Sequence, residues 1–394
     1  MSWSSFASPR LVATLLIGAG VAACSPYVAP GTETEAGSTD GSTDGSTDAS
    51  SDTETSDASS DAGSETDGET ETSGTTEEPV DAVVCGDDPP EGAELAPALP
   101  TYGGACPTIE VGWDPEWSAA PNVVTVMVDG DDPQDRTFAV IAPEQIDDNE
   151  PLPVIFMWHW LGGSAEDFID RSEVELAVEV HRFIAVIPEA ADDLIFRWPY
   201  TALDTPERME VEFQFFDDML ACVGEQFPVD ENCVSSTGVS AGALWTAQLA
   251  GGRGEHLSSI ISLSGGVGGD AVKPWTPSAH KMPALVLWGG PDDFCVAVDF
   301  DETSRNLEAA LEADDHAILE CIHNCEHATP PFDDIVGPTV FDPMWRFMLD
   351  HPYWLRDGES WYEDLGVPMG YPSWCAMGAG NAQIREGACD GSEC

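Results

Sequence analysis

The chain has 394 residues, with 73 Asp and Glu against 13 Lys and Arg and a formal net charge of −60 at pH 7. Such an excess of acid repels nucleic acid and anionic lipid and makes anionic polymers poor substrates, so no nucleic-acid partner is expected. Neutral small molecules, neutral esters among them, stay open.

In chain order, Arg10 precedes an apolar run, Leu11 to Cys24 (LVATLLIGAGVAAC). The run is short for a membrane helix, and its small-residue ending is that of a secretory signal. Its last four residues, VAAC, resemble the lipobox of bacterial lipoproteins. That resemblance makes residues 1–24 a lipoprotein signal peptide and Cys24 the lipidated first residue of the mature chain. Several acyl chains give stable anchoring where one does not. The expected location is the cell envelope, lipid-anchored outside the cytoplasm at the outer membrane or cell surface.

Residues 31–79 hold fifteen Asp or Glu, no Lys or Arg, and almost nothing apolar. They cannot bury enough surface to offset chain entropy, and their like charges extend them, so residues 25–84 read as a disordered acidic linker. Residues 85–120, rich in Pro and Gly, read as an irregular lead-in. Beyond it the chain still holds 58 acidic against 12 basic residues from residue 81 onward.

From residue 123 short apolar runs alternate with helical patterns. VVTVMVDG (123–130) and RTFAVIAP (136–143) predict an opening antiparallel hairpin. Further strands are expected at 153–160, 182–190, 233–240, 260–266, 284–290 and 316–323, several of them continuously apolar as buried parallel strands are. Met209, Phe213, Phe216, Leu220, Val223 and Phe227 recur at helical spacing and predict one long amphipathic helix. Strands alternating with helices predict an α/β domain over 121–355, a mostly parallel sheet covered on both faces. Residues 356–394 read as an irregular tail carrying cysteines.

STGVSAGALW contains G-x-S-x-G at Gly238, Ser240 and Gly242, directly after a predicted strand and before a helical run. A strand–turn–helix at that place is a nucleophile elbow: the glycines let strand and helix crowd together, and the turn lifts the Ser240 hydroxyl out of the sheet. The Ala241 N–H would then face a developing oxyanion. A serine hydroxyl needs a base, and the base an orienting acid. LVLWGGPDDFCV ends a strand in a Gly-Pro-Asp-Asp turn, leaving Asp292 or Asp293 as the acid.

Asp217 to Ala243 resembles the elbow region of the polyhydroxybutyrate depolymerase and feruloyl esterase family of α/β-hydrolases. That family shows a helix, a V-D-x-x-x-V step and T-G-x-S-x-G. Its strand-end H-G-T-x-D segment corresponds to WGGPD here, which selects Asp292. Its G-H-x-x-P segment corresponds to EHATP, which selects His327. Its H-G segment corresponds to FMWHWLGG, where His159 is retained and Trp160 replaces the glycine. Leu161 is the first choice for the second oxyanion N–H and Trp160 the next, with His159 holding the loop. The resemblance implies an α/β-hydrolase fold and hydrolysis of carboxylic esters by Ser240, His327 and Asp292, with no metal and no cofactor. It runs over roughly residues 120–350.

Cys321, His323, Cys325 and His327 alternate along one stretch in a pattern like that of a metal site. Alternate residues of a strand line up on one face without converging on an ion, and structural zinc draws ligands from separated arms. The stretch is better used to deliver His327, with His323 as the runner-up base. Eleven cysteines in an exported chain imply disulfides, and lipidation of Cys24 leaves ten. Acid and histidine loops must lie side by side in a triad, so Cys295–Cys325 is expected, with Cys321 as rival partner. Cys222–Cys233 and Cys85–Cys106 are the other candidates.

Trp158, Trp160, Trp198, Trp245, Trp275 and Trp288 fall near the expected cleft. Trp245 is expected under the elbow, and one or two others at the rim, gripping an aromatic acyl group or a sugar. The expected substrate is a small or oligomeric ester, met by an envelope enzyme anchored to the membrane through its lipid. A peptidase or lipase on the same machinery, and a non-catalytic surface binding protein, are the competing readings.

Overall fold

A computed structural model of the chain describes residues 82–389, apart from 129–131, 148, 192–195, 333–336 and 356–357. The signal run, Cys24 and all of the acidic linker before residue 82 lie outside the described residues.

The elements are, in order, β1 (Asn122–Val126), β2 (Gln134–Ile141), β3 (Leu152–Trp158), α1 (Ala165–Arg171), α2 (Val174–His181), β4 (Ile184–Pro188), α3 (Pro206–Gln226), β5 (Val229–Val239), α4 (Ala241–Arg253), β6 (Ser259–Leu263) and β7 (Ala284–Trp288). Then come β8 (Phe294–Cys295), β9 (Val298–Asp299), α5 (Phe300–Ala313), β10 (Ile318–Ile322), α6 (Asp342–Leu349), α7 (Trp361–Leu365) and β11 (Cys375–Met377). Nine strands form one sheet in the order β1-β2-β4-β3-β5-β6-β7-β10-β11. The run from β4 to β10 is parallel, while β1, β2 and β11 pair antiparallel. The opening hairpin and every strand expected from the apolar runs are present within a few residues of their predicted bounds.

Successive strand residues face opposite ways, and the core divides accordingly. Val154, Phe156 and Trp158 of β3, with Ala284, Val286 and Trp288 of β7, pack with Phe215, Phe216, Leu244, Trp245, Leu307 and Leu311 under α3, α4 and α5. Ile155, Met157, Leu285 and Leu287 pack with Phe168, Val178, Phe347 and Tyr362 under α1, α2, α6 and α7. Both faces of the parallel strands are buried, which is why their sequences run apolar without alternation. α3 opens on Thr205, whose side chain accepts the Arg208 N–H, with Pro206 following where its missing N–H costs nothing.

Two expectations about the flanks are corrected. The lead-in is not stapled to itself: Cys85 pairs with Cys233 and Cys106 with Cys222. Cys222 and Cys233 therefore do not pair with each other; each holds the lead-in against α3 or β5. The lead-in runs over that surface, where the Gln226 Oε1 accepts the Ile109 N–H and the Asn232 Oδ1 accepts the Ala96 N–H. The tail is not irregular throughout either. It contributes α7 and the edge strand β11, pinned to β10 by Cys321–Cys375. β11 is three residues long, too short for a periodic pattern to mark it.

Candidate active site

The parallel strands end nearly level. Trp158 pairs with Gly238, Val239 with Leu263, Leu263 with Leu287, and Trp288 with Ile322. The loops leaving these ends gather Trp160–Leu161, Ser240, Ser264, Gly289–Asp293 and His323–His327 along one edge, where the ligands of open α/β sheets sit.

Ser240 lies between β5 and α4 at φ 54° and ψ −118°, a strained conformation for a residue with a side chain. The strain is over-determined by neighbours. The Ser240 N–H donates to the Leu263 carbonyl at 2.9 Å, and its carbonyl accepts from Ala243 and Leu244 at 2.9 Å each. A Cβ on Gly238 would overlap the Gly242 carbonyl, and one on Gly242 the Trp158 carbonyl, so both positions demand glycine for close approach. Trp245 is fully buried, edge-on to Trp158 and stacked on Phe213, filling the space under the turn.

His327 Nε2 stands 3.0 Å from Ser240 Oγ, and His327 Nδ1 stands 2.7 Å from Asp293 Oδ1. The carboxylate requires the proton of that second bond to sit on Nδ1, which leaves Nε2 free to accept from the serine. The Phe300 ring stacks on the imidazole at 4.4 Å between centroids and 23° between planes.

The carboxylate that meets His327 is Asp293, not Asp292. The Asp293 N–H donates to the Gly290 carbonyl at 3.1 Å, closing a turn with Pro291 and Asp292 at its tip. Asp292 is consequently exposed, while Asp293 returns to the strand end fully buried. Proline favours the second position of such a turn, where Pro291 stands. Asp293 Oδ2 accepts from the Ser264 hydroxyl and the Gly289 N–H, each at 2.7 Å. No motif marks Ser264 or Phe300: strand register brings Ser264 to Asp293, and the start of α5 brings Phe300 to His327.

On the other side of Ser240, the loop after β3 rests on the elbow: the Trp158 and His159 carbonyls crowd Gly242. Ala241 is the first residue of α4, so its N–H has no intrahelical acceptor. The Trp160 carbonyl takes a bond from His159 Nδ1 at 2.9 Å and from the Gly163 N–H at 3.0 Å. Across a trans peptide the next N–H points the opposite way, which frees the Leu161 N–H from that turn. The Trp160 ring lies against Phe168 and under the Arg171 guanidinium, so its bulk is absorbed by α1.

His159 braces this loop. Its Nδ1–H donates to Trp160, its Nε2 accepts the Ala190 N–H at 3.2 Å, and burial holds its pKa down to about 4, so it is neutral. His323, the runner-up, is not the ring against Ser240; His327 is. Its Nδ1 accepts the Cys325 N–H at 3.2 Å, and burial lowers its pKa to about 4 as well.

The pairing of Cys295 with Cys325 is overturned, as is the rival with Cys321. Cys325 is bonded to Cys389 and Cys321 to Cys375, while Cys295 is disulfide-bonded elsewhere. The tail runs alongside β10 and supplies the partner of both cysteines. Trp158, Trp198, Trp245 and Trp288 are fully buried and cannot line a cleft. Trp275 is half-buried, bonded through Nε1 to Asp314 at the end of α5 opposite Phe300, and so stands away from Ser240.

No protein-family model matches the chain. Feruloyl esterase D of Neurospora crassa is 26% identical over 182 residues, which are 43% of this chain and 58% of that esterase, so the chain spans less than two thirds of its length. Among solved structures, a complex of pOPH_S172C with DMSO superposes with a TM-score of 0.54 at 16% identity, covering 72% of this chain and 98% of the other. Native sOPH superposes at 0.52 and 18% identity, covering 71% and 99%. The chain has the α/β-hydrolase fold, and it is similar in sequence to a feruloyl esterase.

Proposed function

We propose that the chain is an exported serine hydrolase that cleaves carboxylic esters through an acyl-enzyme on Ser240. The reading rests above all on the His327 ring, which spans the distance from Ser240 Oγ to Asp293. Ser240 Oγ attacks the ester carbonyl as His327 Nε2 takes its proton. That proton passes to the departing alcohol oxygen as the C–O bond breaks. Water, deprotonated in turn by His327, releases the acid and restores Ser240. Asp293 holds the imidazole tautomer and stabilises its cation. The Ala241 and Leu161 N–H groups hold the oxyanion, with Trp160 as the second candidate donor.

The substrate class that fits is a neutral, small or oligomeric ester; the acidic surface disfavours anionic ones. Disulfides support a place outside the cytoplasm. The lipobox-like VAAC supports anchoring at Cys24 behind an acidic tether.

The test is turnover of short-chain acyl esters beside peptides and long-chain lipids, with a fluorophosphonate probe read at Ser240. Ester turnover and labelling, both abolished in Ser240→Ala, are expected. Peptide or lipid turnover in preference to short esters would move the reading to those classes. A folded chain that neither labels nor turns over any of them would end it in favour of a binding protein. Mass spectrometry of the mature N-terminus checks the lipid; an unmodified Cys24 removes the anchor.

A further inference from the structure

Two sets of contacts hold the loop that carries His327. One set comes from the acid side: the His323 N–H donates to the Trp288 carbonyl at 3.0 Å and the Glu326 N–H to the Gly289 carbonyl at 3.2 Å. The other comes wholly from the C-terminal tail. Cys325 is bonded to Cys389. The Asn324 Nδ2 donates to the Gly387 carbonyl at 2.8 Å, and the Arg385 Nη1 donates to the Asn324 Oδ1 at 2.9 Å. The Arg385 N–H donates to the Ile322 carbonyl at 2.9 Å, where β10 ends.

Between the cross-linked Cys325 and His327 stands Glu326 at φ 58°. A non-glycine residue is held there only when its surroundings over-determine it. Relaxation of Glu326 to negative φ would rotate the chain at the residue before His327 and carry the imidazole off the line between Ser240 and Asp293. The opposing contacts of tail and acid loop prevent that rotation.

We infer that the C-terminal strap, Arg385 to Cys389, is a positioning element for His327: it holds Glu326 in its strained conformation and so keeps the imidazole aligned with Ser240 and Asp293. The inference rests on the esterase reading for its kinetic consequence but not for its structural one. The strap lies about sixty residues along the chain from the histidine it serves, beyond the stretch in which the sequence resembles known esterases.

The experiment compares the full-length chain with two double variants. In Cys325→Ala/Cys389→Ala the strap is released. In Cys106→Ala/Cys222→Ala a lead-in staple is released instead. For the strap variant, kcat on a short acyl ester is expected to fall by about 10–100-fold with KM little changed, as for a small misplacement of a reacting group. The lead-in variant is expected to melt earlier and keep its kcat. Adding Glu326→Gly to the strap variant, which makes positive φ unstrained, is expected to restore kcat several-fold. The low-field proton signal of the His327 Nδ1–H bonded to Asp293 is expected in the parent and lost or broadened in the strap variant. An unchanged kcat, an equal kcat loss in both double variants, no rescue by Glu326→Gly, or a low-field signal that persists would each overturn the inference. If the parent fails to hydrolyse any ester, the esterase reading falls, and the low-field signal still decides the strap.

Discussion

The Ser264 hydroxyl donates to Asp293 Oδ2 at 2.7 Å while the other oxygen of the same carboxylate holds His327. Ser264 follows β6 as Ser240 follows β5, and Leu263 and Val239 are paired in register. One sheet edge thus supplies Ser240 from one strand and a clamp on Asp293 from its neighbour. Ser264 itself sits at φ 46°, and its N–H is tied to the Leu287 carbonyl at 2.7 Å.

Exchange of the two aspartates separates the acid assignments. Asp293→Asn should leave the wrong imidazole tautomer facing Ser240 and lower kcat by about 10⁴-fold. Asp292→Asn, at an exposed turn tip, should leave kcat near that of the parent. Steady-state kinetics on a short acyl ester gives both; the reverse ranking would return the role to Asp292.

Removal of the clamp should be milder. Ser264→Ala deletes one hydrogen bond to a carboxylate that keeps the Gly289 N–H, a loss on the order of tenfold in kcat. KM should be unaffected, because Ser264 reaches substrate only through Asp293. A change confined to KM would show that Ser264 contacts substrate instead.

Gly289 carries a demand of a different kind. A Cβ there would overlap the Glu326 carbonyl, one residue before His327. Gly289→Ala must push the two loops apart, and a shift of about 1 Å at the imidazole costs roughly 10²-fold in rate. Kinetics with a melting curve checks it: a folded variant at full rate would mean that the loops separate without moving the ring.

Glu308 on α5 and Glu320 on β10 form a buried acid pair, with Ala382 of the tail donating its N–H to Glu320 at 2.6 Å. Burial, then the negative charge of Glu320, push the Glu308 carboxyl up to about 8; Arg305 opposes the shift and Asp301 adds to it. Between the ordinary value of 4.5 and about 8 the folded chain holds a proton that the unfolded chain has released. Stability from this group is therefore fully present at low pH and is lost as pH rises through that window, by about 1.4 kcal/mol per unit at most. Glu308→Gln keeps a donor toward Glu320 and does not titrate. Urea unfolding at pH 5 to 8 should show the parent losing stability relative to the variant as pH rises; parallel curves would refute the shared proton.

The disulfides give a prediction that needs no activity. Peptide mapping under non-reducing conditions should yield Cys85–Cys233, Cys106–Cys222, Cys321–Cys375 and Cys325–Cys389. Recovery of Cys85–Cys106 would mean that the lead-in folds on itself and is not fastened to α3 and β5.

The sequence by itself determined the strands, the long helix and the tight turn at Ser240. Those features are local: apolar runs fix buried parallel strands, helical spacing fixes α3, and Gly-x-Ser-x-Gly after a strand fixes a tight turn. His327 was marked by resemblance to a family's G-H-x-x-P segment and not by these local features. Only the tertiary structure decided which carboxylate of Asp292 and Asp293 turns inward, because two adjacent acids differ in nothing but the closure of one turn. It likewise decided the cysteine partners, which depend on how the lead-in and the tail lie across the sheet, and not on spacing along the chain. Ser264, Phe300 and the strap at Cys389 belong to the same class. Each acts across a contact between segments distant in sequence, and no periodicity or motif within a segment encodes the neighbour it will meet.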